Sequence, residues 1–260
     1  MKFTILGSGT STGIPTVSCQ CATCTSTDPH DTRTRPALMI ESDTTRVIID
    51  TSADFRQQML RHRVRCIDAV VFTHHHFDHI GGFDDIRGFN FTMKKAIPIY
   101  LMQETFENLR RTFIYAFEDG GQKGGGVPIV TTHIIDDQPF TIGDITLVPI
   151  PMMHGSMRVN GYRIGAFAYC TDTNYIPASS LRLLERLDVL VLDALRYDPH
   201  PTHFTVDEAI AMAQTIGARQ TYLTHIAHNI LHADLSAKLP AGIALSHDGL
   251  EICCGEVMVG

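Results

Sequence analysis

Positive charge is scarce in this chain of 260 residues: 21 Lys and Arg stand against 28 Asp and Glu, a formal charge of −7. Nucleic-acid binding that ignores sequence relies on clustered cations facing phosphate. That balance argues against a broad nonspecific grip on nucleic acid, while leaving room for a local basic patch. Also missing is any run near the ~20 apolar residues that a membrane span needs. The opening MKFTILGSGT has one Lys and too short an apolar stretch for a secretory signal, so it reads as a first strand. These absences lead to the expectation of a soluble, cytoplasmic protein with no membrane partner. No internal repeat is visible, and only GGQKGGG at 120–126 is low in complexity. Its glycines are costly to order and predict a mobile surface loop. Disulfide pairing is poorly served too. Seven cysteines is an odd count, and three crowd into CQCATC, a spacing better suited to metal.

What is present is a series of apolar runs with helical patterns between them, enough for one large layered domain over 1–260. Strand patterns rich in Val, Ile, Tyr and Phe fall at 2–9, 37–42, 46–52, 68–74, 97–102, 129–135, 145–152, 165–172, 188–195, 221–226 and 249–254. Helical patterns fall at 53–63, 103–116, 178–187, 205–217 and 230–238. The fourth has Thr205 as N-cap, Asp207 and Glu208 in its first turn, and a stop at Gly217. The strands come in two groups without strict βαβ alternation. That predicts an α/β fold of two sheets packed face to face, with helices outside.

The densest chemistry is FTHHHFDHIGG at 72–82. His74 and His76 are two apart, so on extended chain they leave the same face and can aim at one divalent ion. Asp78 and His79 follow round a turn eased by Gly81 and Gly82, and serve a second ion. Imidazole with carboxylate suits zinc, manganese or iron rather than calcium. A surface histidine run would not alternate round an Asp at the end of an apolar strand. His75 has no ligand role in this scheme. Three further polar residues close apolar runs: His154 in VPIPMMHGS, Asp172 in AYCTDTN and His225 in TYLTHIAH. In that arrangement His154 completes the first site, His225 the second, and Asp172 bridges them.

The order H-x-H-x-D-H, lone His, lone Asp, final His resembles the metallo-β-lactamase superfamily over nearly the whole chain. The resemblance implies a four-layer αββα sandwich with two metals at one edge. Asp50 in VIIDTS falls where that superfamily often has DTG, implying a role in orienting ligands; Ser52 in place of Gly is a mild departure. True β-lactamases usually lack the His after the motif's Asp, so His79 points away from antibiotic hydrolysis. LGSGTSTGIP at 6–15 and LRYDPHPTHFTVDEA at 195–209 resemble the phosphodiesterase branch. Gly7, Gly9 and Gly13 miss the dinucleotide-loop spacing, and are read as a tight turn near the site. His203 matches the position where such phosphodiesterases place a histidine facing the scissile phosphate, with His200 as its competitor.

Cys19, Cys21 and Cys24 form C-x-C-x-x-C, three thiolates able to grip one structural zinc with a fourth ligand. His228 is within reach for that place. Such a site beside the catalytic pair is similar to the cyclic-phosphate phosphodiesterase family of the carbon–phosphorus lyase pathway. The remaining Cys66, Cys170, Cys253 and Cys254 read as small core residues. Phe89, Phe91, Arg110, Arg111 and Tyr115, within 88–128, are expected to border the pocket. A homodimer is implied by family likeness alone.

The implied activity is hydrolysis of a small, cyclic ribose or nucleotide-type phosphodiester by a hydroxide held between two divalent ions, zinc or manganese, whose shared water has its pKa lowered to ~7. Asp78 would orient the attacking oxygen, and His203 would stabilise developing charge or protonate the leaving group. A tRNA 3′-processing endonuclease has the same catalytic parts but commonly a long Gly- and Pro-rich arm. Here residues 173–202, 30 in all, are filled by a helix and a strand, and the chain is acidic, so nucleic acid is the lesser substrate. A thioester or lactone hydrolase of the glyoxalase type is the other alternative; it would not need His203.

Overall fold

A computed structural model describes residues 1–118 and 126–254. Of the 120–126 loop expected to be mobile, 120–125 lie outside the described residues.

Six strands open the fold: β1 (Lys2–Gly7), β2 (Ala37–Glu41), β3 (Arg46–Ile49), β4 (Ala69–Val71), β5 (Ile97–Leu101) and β6 (Val130–Ile134). Another seven build a second sheet: β7 (Phe140–Ile142), β8 (Ile145–His154), β9 (Met157–Ile164), β10 (Phe167–Cys170), β11 (Val189–Asp193), β12 (Gln220–Thr224) and β13 (Ile243–Leu245). β14 (Glu251–Cys253) then returns to the first, giving orders β14-β1-β2-β3-β4-β5-β6 and β13-β12-β11-β10-β9-β8-β7. In each sheet an antiparallel part gives way to a parallel one, β3 to β6 and β10 to β13.

Alternation within each strand explains the layers. Phe3 and Ile5, Val47 and Ile49, Ala69 and Val71 point between the sheets, where they meet Tyr162, Phe167, Tyr169 and Val191. Phe3 and Phe167 stack across that interface at 3.8 Å. The intervening Leu6, Ile48 and Val70 face α1 (Phe55–Arg61), α2 (Phe77–Ile80), α3 (Arg87–Met93) and α4 (Gln103–Thr112). On the far side, Leu190 and Leu192 face α5 (Ala178–Leu181), α6 (Val206–Ile216) and α7 (His232–Ser236). Strands covered on both faces read as continuous apolar runs, and the result is the expected αββα order.

The differences from expectation are local. α2 and α3, of four and seven residues, are too short for helical periodicity. The 103–116 pattern stops at Thr112 and resumes as a 3₁₀ turn, Ile114–Ala116. The 178–187 pattern holds only α5 and a 3₁₀ turn at Arg182–Leu184, although Leu184 and Leu187 are buried as the spacing required. Of the four cysteines assigned to the core, Cys170 and Cys254 are buried but Cys66 and Cys253 are exposed. Cys66 lies in the connection to β4, and Cys253 faces out from an edge strand. Among the described residues no helix is long and apolar enough to cross a membrane.

Candidate metal centre

The polar residues singled out in sequence leave the carboxyl ends of strands at one rim of the sandwich. Asp50 follows β3, His74–His79 follow β4, His154 ends β8, Asp172 follows β10 and His225 follows β12. Loops at these ends are where open α/β sheets place function. Asp50, Asp172 and His225 all have left-handed backbone, with φ of 66°, 55° and 62°. That conformation costs non-glycine residues roughly 1–3 kcal/mol, so packing enforces these three turns.

Two groupings result. His74, His76 and His154 converge in one, and Asp78, His79, Asp172 and His225 in the other. Asp172 also groups with His154 and His203, which puts it between the two. From Asp172, Oδ2 lies 3.2 Å from His79 Nε2 and Oδ1 lies 3.1 Å from His225 Nε2. Asp78 Oδ2 lies 3.3 Å from His79 Nε2 and 3.6 Å from His225 Nε2. With metal bonds of ~2.1 Å, donor atoms round one ion sit about 3.0 Å apart in an octahedron and about 3.4 Å in a tetrahedron. The spacings fit. Moreover, the buried Nε2 atom of His74 has no hydrogen-bond partner, and those of His79 and His225 face only carboxylates, which leaves all three open to a metal ion. These residues can hold divalent metal.

The opposite ring nitrogens of His79, His154 and His74 are tied down, as ligand imidazoles require, while His225 Nδ1 lies 3.8 Å from Asp193 Oδ1. His79 Nδ1 lies 2.7 Å from Asp50 Oδ2, and Asp50 is itself held by the Thr73 amide at 2.9 Å and hydroxyl at 2.8 Å. His154 Nδ1 donates to the Thr202 carbonyl at 2.7 Å, and His74 Nδ1 lies 3.0 Å from the Thr73 hydroxyl. Gly82 permits the bend after the motif: a Cβ there would meet the Ser52 carbonyl oxygen at 2.3 Å.

Electrostatics separate the two groupings. Burial pushes the His74 imidazole well below its ordinary pKa, and His76 and His154 are lowered for the same reason. Burial would lower His79 and His225 too, but the carboxylates around them win. Asp172, Asp78 and Asp50 raise His79 well above the usual value, and Asp172 leads in raising His225 to about 10. Conversely, burial would raise Asp172, yet His225 and His79 hold it well below the usual carboxylate range.

His203 is buried at the same rim, its ring 4.5 Å from that of His154 and 4.6 Å from that of His225. Sequence reasoning missed its partner. Asp193, fully buried at the end of β11, accepts from His203 Nδ1 at 3.0 Å, the Phe204 amide at 3.1 Å and the Asp172 amide at 3.1 Å. The signal was present, since Asp193 closes the apolar run VLVLD just as Asp172 closes its own. His200 packs at 5.1 Å from His203 on a less buried stretch of the same loop, and His75 belongs to neither grouping.

Cys19, Cys21, Cys24 and His228 form a separate grouping. His228 Nδ1 lies 3.3 Å from Cys19 Sγ and 3.4 Å from Cys21 Sγ. Zinc bonds of ~2.3 Å to sulfur and ~2.0 Å to nitrogen imply about 3.6 Å between tetrahedral donors, so the set fits zinc. Hydrogen bonding from the Cys24 amide, then from His228, lowers the Cys21 thiol to about 6, while burial raises Cys24. The Gly7–Gly13 turn acts indirectly on the rim: Ser8 and Thr10 hydrogen-bond Ile226, the residue after His225. Of the 88–128 residues expected at the pocket, Phe89 and Phe91 instead line a cavity between α1 and α3. Arg110 and Arg111 lie on the exposed side of α4, and Tyr115 donates to Asp84 at 2.6 Å.

Two facing sheets, helices outside, and a His/Asp cluster at one rim define a metallo-β-lactamase-type fold. Residues 45–226 match the family described as the Beta-lactamase superfamily domain, and the chain belongs to that superfamily. Within it, the chain is similar to the crystal structure of a new diphosphatase from the PhnP family, with 43% identity, 96% coverage of both chains and a TM-score of 0.90. Human tRNase Z short form (ELAC1) shares the fold at 17% identity and a TM-score of 0.68, over 97% of this chain and 99% of that one. An octanoyltransferase of Porphyromonas gingivalis (strain ATCC BAA-308 / W83) is 38% identical over 98% of this chain but only 52% of its own length. The chain thus spans about half of that curated relative.

Proposed function

We propose that the chain is a dinuclear metal-dependent hydrolase of small phosphodiesters, with cyclic ribose or nucleotide phosphates as the substrate class. The observation that carries this reading is the His203–Asp193 pair beside the metal-ligand rim. An imidazole whose Nδ1 is held by a buried carboxylate leaves Nε2 free to face a substrate. Similarity to a PhnP-family diphosphatase supports a phosphoryl over a carbonyl substrate.

His74, His76 and His154, and Asp78, His79 and His225 with Asp172, would hold zinc or manganese, which would supply Lewis acidity to activate water and offset charge on phosphoryl oxygens. The remaining work falls to side chains. Asp78, at the mouth of its grouping, accepts a hydrogen bond from the attacking water and aims it at phosphorus. His203 gives its Nε2 proton to the departing ester oxygen, and Asp193 stabilises the imidazolium that precedes this transfer. General acid help of this kind is worth ~10²–10⁴-fold. A cyclic diester suits the site because ring opening needs no long binding groove. Cys19, Cys21, Cys24 and His228 hold one structural zinc that fixes the loop next to His225.

The test is a panel of bis-p-nitrophenyl phosphate, a cyclic ribose phosphate, a diphosphate ester, a tRNA precursor and an octanoyl thioester, each with zinc or manganese. Fastest turnover of the cyclic ester, and its loss by ~10²-fold or more in His203→Ala with metal content unchanged, is the expected outcome. Preference for the thioester, or normal turnover without His203, refutes it.

A further inference from the structure

Away from the metal-ligand rim, α1 and α3 border an open cavity of about 640 Å³ on the outer side of the first sheet. Behind it pack the buried side chains of Phe55, Met59 and Phe89 from the helical layer. At its mouth Leu60 and Phe91 are 57% and 49% exposed. Apolar surface gathered in one hollow marks a binding site more often than the same area scattered.

The charge round this hollow reverses that of the molecule. Arg56, Arg63, Arg65 and Arg87 line it, against a single carboxylate, Asp85, in a chain of net −7. Arg87 pairs with Asp84 at 3.1 Å. The other three have no carboxylate at ion-pair distance among the described residues. A guanidinium presents parallel N–H donors that match a carboxylate two by two.

We propose that this cavity binds a free fatty-acid anion, its alkyl chain against Leu60, Phe89 and Phe91 and its carboxylate held by Arg56, Arg63 and Arg65. The volume falls in the range of small-molecule pockets, roughly 300–1,000 Å³. A second copy of the chain is a poor occupant. Two-fold contacts set a patch against itself, which here opposes arginine with arginine. A flat anionic membrane would cover Leu60 and Phe91 and leave the hollow unfilled.

Gly88 provides a clean block. It lies on the cavity lining, exposed, and a Cβ there meets no atom within 4 Å, so Gly88→Leu adds bulk at the lining without a clash. Decanoate, kept below its critical micelle concentration, is titrated calorimetrically into the metal-loaded chain, with 1-decanol and phosphatidylglycerol vesicles as comparison arms. Expected are one saturable decanoate per chain and decanol binding at least about tenfold more weakly. A similar loss is expected in Arg56→Gln/Arg63→Gln, and no binding in Gly88→Leu, with phosphodiester hydrolysis unchanged in both variants. Should one variant fail to fold, the other and the decanol comparison still decide. Equal affinity for the alcohol, undiminished binding in Gly88→Leu, or association with vesicles alone overturns the proposal.

Discussion

Asp193 holds three neighbours at once: the His203 imidazole, the Phe204 amide and the Asp172 amide. It touches no substrate and acts as a positioning residue. Asn has one oxygen where Asp has two, so Asp193→Asn should lower kcat by ~10²-fold or more with little change in KM. It should also move the limb of the pH–rate profile that reports the His203 proton. An unaltered profile with reduced kcat would reduce Asp193 to a purely structural part. The histidines permit a second prediction. In the metal-free chain His225 is raised to about 10 and His79 well above its ordinary value, so both hold protons at pH 7. The stability that His225 gives is complete below the unfolded value near 6.5 and disappears as pH rises through about 10. Metal needs neutral imidazole, so binding must expel these protons. Manganese affinity should therefore climb with pH between 6 and 8, by about tenfold per unit for each proton displaced. A flat dependence would show both rings already neutral. At this scale the sequence was largely legible, because residues that close apolar strands end up at the rim. Asp193 was passed over because its partners are backbone amides and one distant ring, which no local pattern announces.

Among the elements, α6 illustrates a boundary that local chemistry decides. Thr205 accepts from the Glu208 amide at 3.2 Å, Glu208 takes the Thr205 amide at 2.8 Å, and Gly217 closes the helix with φ of 69°. All of this can be read from TVDEAIAMAQTIG. Thr205→Ala should cost ~1 kcal/mol in urea unfolding, and it should reduce turnover through His203, two residues upstream. Stability loss with full activity would uncouple the cap from the site. β9 shows the opposite case. Its sequence MRVNGYRI contains Asn-Gly, a turn signal, yet it runs straight as the partner of β8. Gly161 is there for clearance: a Cβ would meet the Tyr169 carbonyl oxygen at 2.8 Å and Met152 Cε at 3.0 Å. β7 and β13 are three-residue strands, which only pairing with neighbours can define.

For the molecule as a whole, the ligand candidates are divided between the sheets. His74, His76, Asp78 and His79 follow a strand of the first, while His154, Asp172 and His225 belong to the second. Metal held there would add to the side-chain packing and the hydrogen bonds, such as Tyr162 Oη to the Phe72 carbonyl at 2.7 Å, that join the two layers. Chelation should lower the melting temperature, since a ligand present at 100 times its Kd adds ~2.7 kcal/mol. Re-addition of zinc or manganese should restore it, and an unchanged melting curve would argue against ions at the rim. The αββα order was readable because strands apolar on both faces must be covered on both. Which strands neighbour one another was not, since β14 pairs with β1 across nearly the full length of the chain. If ions lace that border, the endurance of the molecule would depend on their supply. Stripped of metal, the protein would then be cut by proteases first at that border.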